Sequence, residues 1–153
     1  MRFTFSLLLA LLLLPMSVSA QQSIVEYPIP SGSTAGNVCA GPNGQEWFVG
    51  DAKIGYVDTL NNYQITEYAV PGSTSGLVGC SFSPASLLWF GNQNTKTLYS
   101  FDPVTMNFAT LPIPAPNAGL AGVVWHSDGL LYVMIPQSNV IRRLRSDTLG
   151  RAQ

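Results

Sequence analysis

Apolar residues in this chain fall in short bursts rather than along a helical stripe. Val38–Ala40, Glu46–Val49, Ile54–Asp58 and Gln64–Tyr68 are each three to five residues long and rich in β-branched and aromatic side chains. Turn-forming residues separate them. Gly41-Pro42-Asn43-Gly44, Ser83-Pro84-Ala85-Ser86 and His126-Ser127-Asp128-Gly129 are three such breaks. Gly and Asn tolerate the backbone angles a tight turn needs, and Pro fixes one of them in advance. No stretch after residue 20 carries apolar positions at 3.6 spacing, so the pattern predicts short strands and no long helix.

The pattern repeats. Ile24-Val25-Glu26-Tyr27-Pro28-Ile29-Pro30 returns as Ile65-Thr66-Glu67-Tyr68-Ala69-Val70-Pro71 and again as Phe108-Ala109-Thr110-Leu111-Pro112-Ile113-Pro114. Later landmarks keep the same order: small-residue loops at Gly36, Gly76 and Gly119, then Trp47-Phe48, Trp89-Phe90 and Tyr132-Val133. Last come apolar residues three apart, Ile54 with Val57, Leu98 with Phe101 and Ile141 with Leu144. Four short strands per period of about 42 residues is the signature of a propeller blade. The predicted fold is all-β and propeller-type, with three blade repeats over about 24–64, 65–107 and 108–145 and a tail over 146–153. The third repeat lacks its outermost strand. The aromatic pairs are read as packing between blades, with a stacking platform for a ligand as the alternative.

The first 20 residues break this pattern. Arg2 precedes an uncharged, largely apolar run from Phe3 to Leu14, and Val18-Ser19-Ala20 places small residues before a cleavage point. This is the form of a secretory signal peptide, cut before Gln21. The run is shorter than the roughly 20 residues a membrane-spanning helix needs. The expected location is therefore secreted and extracellular, without a membrane anchor. Charged residues make up 10% of the chain and the net charge is −1, so no basic face for nucleic acid is expected. Arg142, Arg143, Arg145 and Arg151 cluster late and read as a solvated strand edge.

Three motifs carry a resemblance to a known family. Ile65 to Pro71 reads Ile-Thr-Glu-Tyr-x-x-Pro, Gly41 to Phe48 reads Gly-Pro-Asn-Gly-x-x-Trp-Phe, and Lys53 to Asp58 reads Lys-Ile-Gly-Tyr-Val-Asp. These resemble the β-propeller repeats of the virginiamycin B lyase (streptogramin lyase) family, over nearly all of residues 24–145. The resemblance implies a carbon–oxygen lyase that opens a cyclic peptide lactone by elimination. A histidine, nearby acidic residues and Mg²⁺ would act on the face carrying the loops into the innermost strands, and Mg²⁺ is implied only under that reading. Such proteins are seven-bladed and often carry Pro-His-Gly in those loops. This chain has three repeats, and its loops read Gly76-Leu77-Val78-Gly79 and Gly119-Leu120-Ala121-Gly122. Val78 and Ala121 stand where a histidine is expected, and neither transfers a proton or binds a metal.

Candidate chemistry is sparse. His126, the one histidine, falls in the turn after the first strand of its blade, on the face opposite the family's site. It reads as a turn residue, with a general base as the alternative. Glu26 and Glu67 recur with Thr110 at one repeat position, which points to a structural role on the outer strand. Asp51, Asn92, Asn94, Gln137 and Asn139 fall between second and third strands, on the presumed ligand face. They could line a polar pocket, or they could be solvated loop residues. Only Asp51 among them is charged, so no metal site is predicted. No zinc spacing, phosphate loop or nucleophile elbow is present. The leading reading is a secreted binding or interaction module for a small molecule, glycan or protein. The alternative is the lyase or another lactone-acting enzyme.

Two expectations concern assembly. Cys39 and Cys80 both fall in innermost strands, 41 residues apart, so they are placed to face each other as a disulfide or as two thiols. Ser23 to Tyr27 reads as an outermost strand with no blade before it. It complements the strand missing from the third repeat, so two chains could form a homodimeric ring of six blades. An open three-blade wedge is the competing arrangement.

Overall fold

A computed structural model describes residues 24–114 and 119–145. The expected signal peptide and its cleavage point, Ser23, and the 146–153 tail lie outside the described residues.

Among the described residues, eleven strands form three antiparallel sheets. Blade 1 holds β1 (Ala35–Ala40), β2 (Gln45–Gly50), β3 (Lys53–Asp58) and β4 (Gln64–Ala69), in that spatial order. Blade 2 repeats the meander with β5 (Leu77–Phe82), β6 (Leu88–Asn92), β7 (Thr97–Asp102) and β8 (Asn107–Pro112). Blade 3 has β9 (Gly122–Trp125), β10 (Leu131–Ile135) and β11 (Val140–Leu144). The innermost strands β1, β5 and β9 lie side by side, and the sheets do not close into a ring. Each sequence repeat therefore begins with the outermost strand of one blade and continues into the inner strands of the next.

Alternation along the strands assigns the core to two seams between blades. From blade 1, Trp47, Val49 and Ile54 point toward blade 2, where Leu88, Phe90, Tyr99 and Phe101 meet them. From the other face of blade 2, Trp89 and Leu98 meet Val123, Leu131, Val133 and Ile135 of blade 3. Blade 2 is thus covered on both faces, which is why all of β6 is buried. The crossover loops help to seal the seams. Val70 and Ile113, at one repeat position, are 3% and 5% exposed.

The inner strands approach closely enough to dictate residue choice. The β5–β6 register shifts between Val78 and Ser81, and Gly79 sits there at φ +73. A Cβ at Gly79 would stand 2.7 Å from the backbone nitrogen of Val123 in β9, so only glycine fits. The Gly79 N–H is taken up by Asn37 Oδ1 of β1 at 2.9 Å, and the Trp125 N–H by Ser81 Oγ at 2.8 Å. Beside these links Cys39 and Cys80 form a disulfide, with their Cα atoms 5.6 Å apart.

Of the segment expected as an unpaired outermost strand, the described residues 24–27 belong to no sheet in the single chain. Residues 24–34 lead across the free side of blade 1. The Ser31 N–H and hydroxyl donate to the two Glu67 carboxylate oxygens at 3.0 and 2.5 Å, and Tyr27 stacks on Tyr63 at 4.7 Å.

Candidate ligand face

The meander sorts the connections onto two ends. Turns β2–β3, β6–β7 and β10–β11 emerge at one end with the crossover 70–76 and with residues 113–114 and 119–121. The hairpins 41–44, 83–87 and 126–130 emerge at the other. The first end is the candidate ligand face.

Of the five polar residues assigned to this face, Asn92 departs most from a solvated loop residue. It ends β6 and is 1% exposed. Its amide nitrogen donates to Ser73 Oγ at 3.0 Å and to the Ser75 carbonyl at 2.9 Å. Its side-chain oxygen accepts from the Asn94 and Thr95 N–H groups at 2.8 and 3.0 Å. A buried amide costs free energy unless its donors and acceptor are paired, and here each is. Asn92 therefore bolts the β6–β7 turn to the β4–β5 crossover.

Asn94 adds to that bolt from the exposed side, with Nδ2 3.1 Å from Ser75 Oγ. Ser73 and Ser75 were not identified from the sequence. The signal available was a Ser-Thr-Ser run facing an Asn-Gln-Asn-Thr turn, but nothing in either run says that they meet. Asp51 is exposed in the β2–β3 turn, and its carbonyl accepts from Leu77 N–H at 3.4 Å. Gln137 lies in a short 3-10 turn, Pro136–Ser138, which Asn139 closes at φ 52 with its N–H on the Pro136 carbonyl. Asn139 also borders a shallow depression of about 280 Å³ lined by Met134, Ile135, Pro136, Val140 and Ile141. The structure thus brings Asn92 and Asn94 together, while Asp51 and the pair Gln137 and Asn139 belong to the turns of other blades.

His126 lies at the opposite end, as its turn position predicts. Its ring Nδ1 accepts the Asp128 N–H at 3.2 Å and stands 3.2 Å from Asp128 Oδ1. The Tyr132 hydroxyl donates to Asp128 Oδ2 at 2.7 Å. That hydroxyl, more than the imidazole, holds the Asp128 carboxyl below its ordinary range, and the carboxylate in turn raises the Tyr132 phenol above its own. A general acid or base works best when it titrates near ambient pH. These two groups are shifted away from neutrality, in the sense expected of a braced hairpin.

Glu67 binds Ser31 and lies 3.8 Å from Lys53 Nζ, which gives it the structural role its repetition suggested. Among the described residues, no group of three or more His, Cys, Asp or Glu side chains could hold a metal ion. Among the same residues, no helix is long and apolar enough to cross a membrane.

No family profile and no curated protein matches the chain. Solved structures do. A virginiamycin B lyase from Staphylococcus aureus superposes with a TM-score of 0.70 at 24% identity, over 79% of this chain and 41% of that one. A catalytically inactive variant of the lyase from the same organism, determined with quinupristin, gives 0.74 at 22% identity, over 84% and 44%. The extracellular domain of a putative one-component system from B. thetaiotaomicron gives 0.59 at 9% identity, over 74% and 14%. The chain spans about two fifths of the length of the lyases it matches. At this identity the likeness is one of fold: the described residues share a propeller-type fold with virginiamycin B lyases, as a partial, unclosed set of three blades.

Proposed function

We propose that the chain is a secreted propeller-type binding module that takes an uncharged, hydrogen-bonding ligand on the face carrying Asp51, Asn94, Gln137 and Asn139. The observation that carries this reading is the Asn92 bolt. It fixes a polar turn and a serine-rich crossover in one arrangement, and a preorganised polar surface loses little freedom on binding. Extracellular placement is supported by the Cys39–Cys80 disulfide, since such bonds persist in oxidising compartments. It is also supported by the signal-like first 20 residues.

The competing reading is a lyase acting on a cyclic peptide lactone, with Mg²⁺. It is favoured by the fold and by quinupristin, the compound found with the inactive relative. It is disfavoured by Val78 and Ala121 in the loops where the family's histidine is expected, and by His126 at the far end.

Two measurements decide between them. Amide shifts of the isotope-labelled protein, titrated with a panel of neutral oligosaccharides and with quinupristin, should move at residues 73–76, 92–95 and 137–139. Incubation of quinupristin with protein and Mg²⁺ should leave its ring closed. Metal-dependent ring opening lost on His126→Ala would replace the binding reading with the enzymatic one.

A further inference from the structure

Blade 3 presents two unfilled positions that blades 1 and 2 define. In blade 1 the edge of β3 is paired by β4, with Ile54 opposite Tyr68, Gly55 opposite Glu67 and Val57 opposite Ile65. In blade 2, β8 does the same for β7, with Leu98 opposite Leu111, Tyr99 opposite Thr110 and Phe101 opposite Phe108. Among the described residues, β11 has no such partner. The second vacancy is the seam face. Ile54 and Leu98 are each 0% exposed against the following blade, whereas Ile141 at the same repeat position is 71% exposed. Val124 and Met134 stand exposed on the same face of blade 3.

The segment that repeats the outermost strand lies at the other end of the wedge. Ile24, Glu26 and Tyr27 correspond to Ile65, Glu67 and Tyr68. Residues 24–34 are tied to blade 1 through Ser31 and Tyr27, yet they pair with no strand. Ile29, at the position where Val70 and Ile113 are buried, is only half-buried.

We propose that residues 24–30 of a second copy of this chain form the fourth strand of blade 3, reciprocally, closing a six-bladed ring. The occupant is identified by register and charge. Carrying over the β3–β4 and β7–β8 pairing puts Tyr27 opposite Ile141, Glu26 opposite Arg142 and Ile24 opposite Leu144. The one acidic residue of the strand then meets an arginine, while Tyr27 and Ile24 meet apolar residues and Val25 falls opposite Arg143. The free side of blade 1, already carrying residues 24–34, would cover Ile141, Val124 and Met134. Propellers close with about four to eight blades, so the three described blades are too few on their own, and two copies supply six with two-fold symmetry. This inference does not depend on the ligand-face reading, since it rests on strand register and charge, and the two surfaces meet only at the depression beside Asn139, which shares Met134 and Ile141.

The test reverses charges in the purified full chain and reads mass by light scattering at micromolar concentration, with circular dichroism confirming folding. The unaltered chain should be a dimer. Glu26→Arg and Arg142→Glu each place like charges at both seams, and each should raise the dimer dissociation constant by about tenfold or more. Mixing the two single variants restores one native and one swapped pair per dimer, so the mixture should dimerise where neither variant does alone. Glu26→Arg changes an exposed residue and keeps the test valid if Arg142→Glu, whose arginine also donates to the Pro114 carbonyl, proves unfolded. The double variant Glu26→Arg/Arg142→Glu should then recover wild-type mass if it folds. A monomeric unaltered chain overturns the proposal, as does a dimer indifferent to Glu26→Arg.

Discussion

The two seams occupy the same place in the repeat but are built from different materials. Between blades 1 and 2 the packing is aromatic. Trp47 contacts the rings of Tyr56, Tyr68, Phe82 and Phe101, and its indole N–H donates to Gln45 Oε1 at 3.2 Å. A disulfide ties the inner strands of that seam together. Between blades 2 and 3 the packing is mostly aliphatic, through Leu98, Leu120, Val123, Leu131, Val133 and Ile135. Its one aromatic pair, Trp89 on Trp125 at 6.4 Å, buries two indole N–H groups that find no acceptor among the described residues. An unpaired buried donor costs about 1–3 kcal/mol, so the second seam carries a penalty the first avoids. One blade repeat thus tolerates two solutions of unequal strength, and blade 3 should be the first part of the chain to open.

The sharpest way to break this contrast is Trp47→Ala. It empties the centre of the aromatic seam and should cost about 3–5 kcal/mol in denaturant unfolding. A loss under about 2 kcal/mol would show that the two seams are alike. Replacing Cys39 and Cys80 by serine removes the cross-link around a 41-residue separation and should cost roughly 3–4 kcal/mol in the chain-entropy model. An unchanged unfolding midpoint in the double variant would count against the disulfide as what distinguishes the first seam. Asn92→Ala strands the Ser75 carbonyl and two N–H groups beside blade 2. It should cost about 2–3 kcal/mol and broaden the amide signals of residues 73–76.

Trp125→Phe sharpens the comparison from the other side. It removes an indole N–H that has no acceptor, which offsets the lost apolar area. The net change should stay within about 1 kcal/mol, while Trp47→Phe breaks a hydrogen bond and should cost visibly more. The smallest effect concerns acid. Hydrogen bonds from the Val104 N–H and the Thr105 hydroxyl lower the Asp102 carboxyl, as the Tyr132 hydroxyl lowers Asp128. A carboxyl lowered in the folded state adds stability above its unfolded pKa and loses it as pH falls through the folded one. Stability should therefore decline below about pH 4, and Asp128→Asn should flatten that decline slightly.

The blade repeat was legible in the sequence because packing between blades demands the same residue class at the same place each time. Trp47, Trp89 and Tyr132 mark one such place, and Ile54, Leu98 and Ile141 another. The facing of Cys39 and Cys80 followed from the same periodicity. What the repeat could not convey is what becomes of a position when its neighbour is missing. Ile141 reads as core by pattern, and it is exposed because no blade packs on it among the described residues. The candidate face was harder still. Asn92 reads as a loop amide, since only the fold brings Ser73 and Ser75 to it. The Tyr132 bond to Asp128 crosses from a turn into a strand and leaves no mark in either pattern.

The placement of the disulfide has a consequence in time. Its two cysteines lie in β1 and β5, and between them come the rest of blade 1, the crossover that follows it and the first three residues of β5. A chain emerging from its N-terminus therefore presents both thiols, and the aromatic residues of blade 1, before any part of β9 to β11 exists. Domains built during synthesis fold N-terminal first. The bond can thus be made while Trp89 and its unpaired partner Trp125 are still to come. Blade 3 would then be added to a base that is already covalently fastened, and the order of manufacture would run in the same direction as the order of strength.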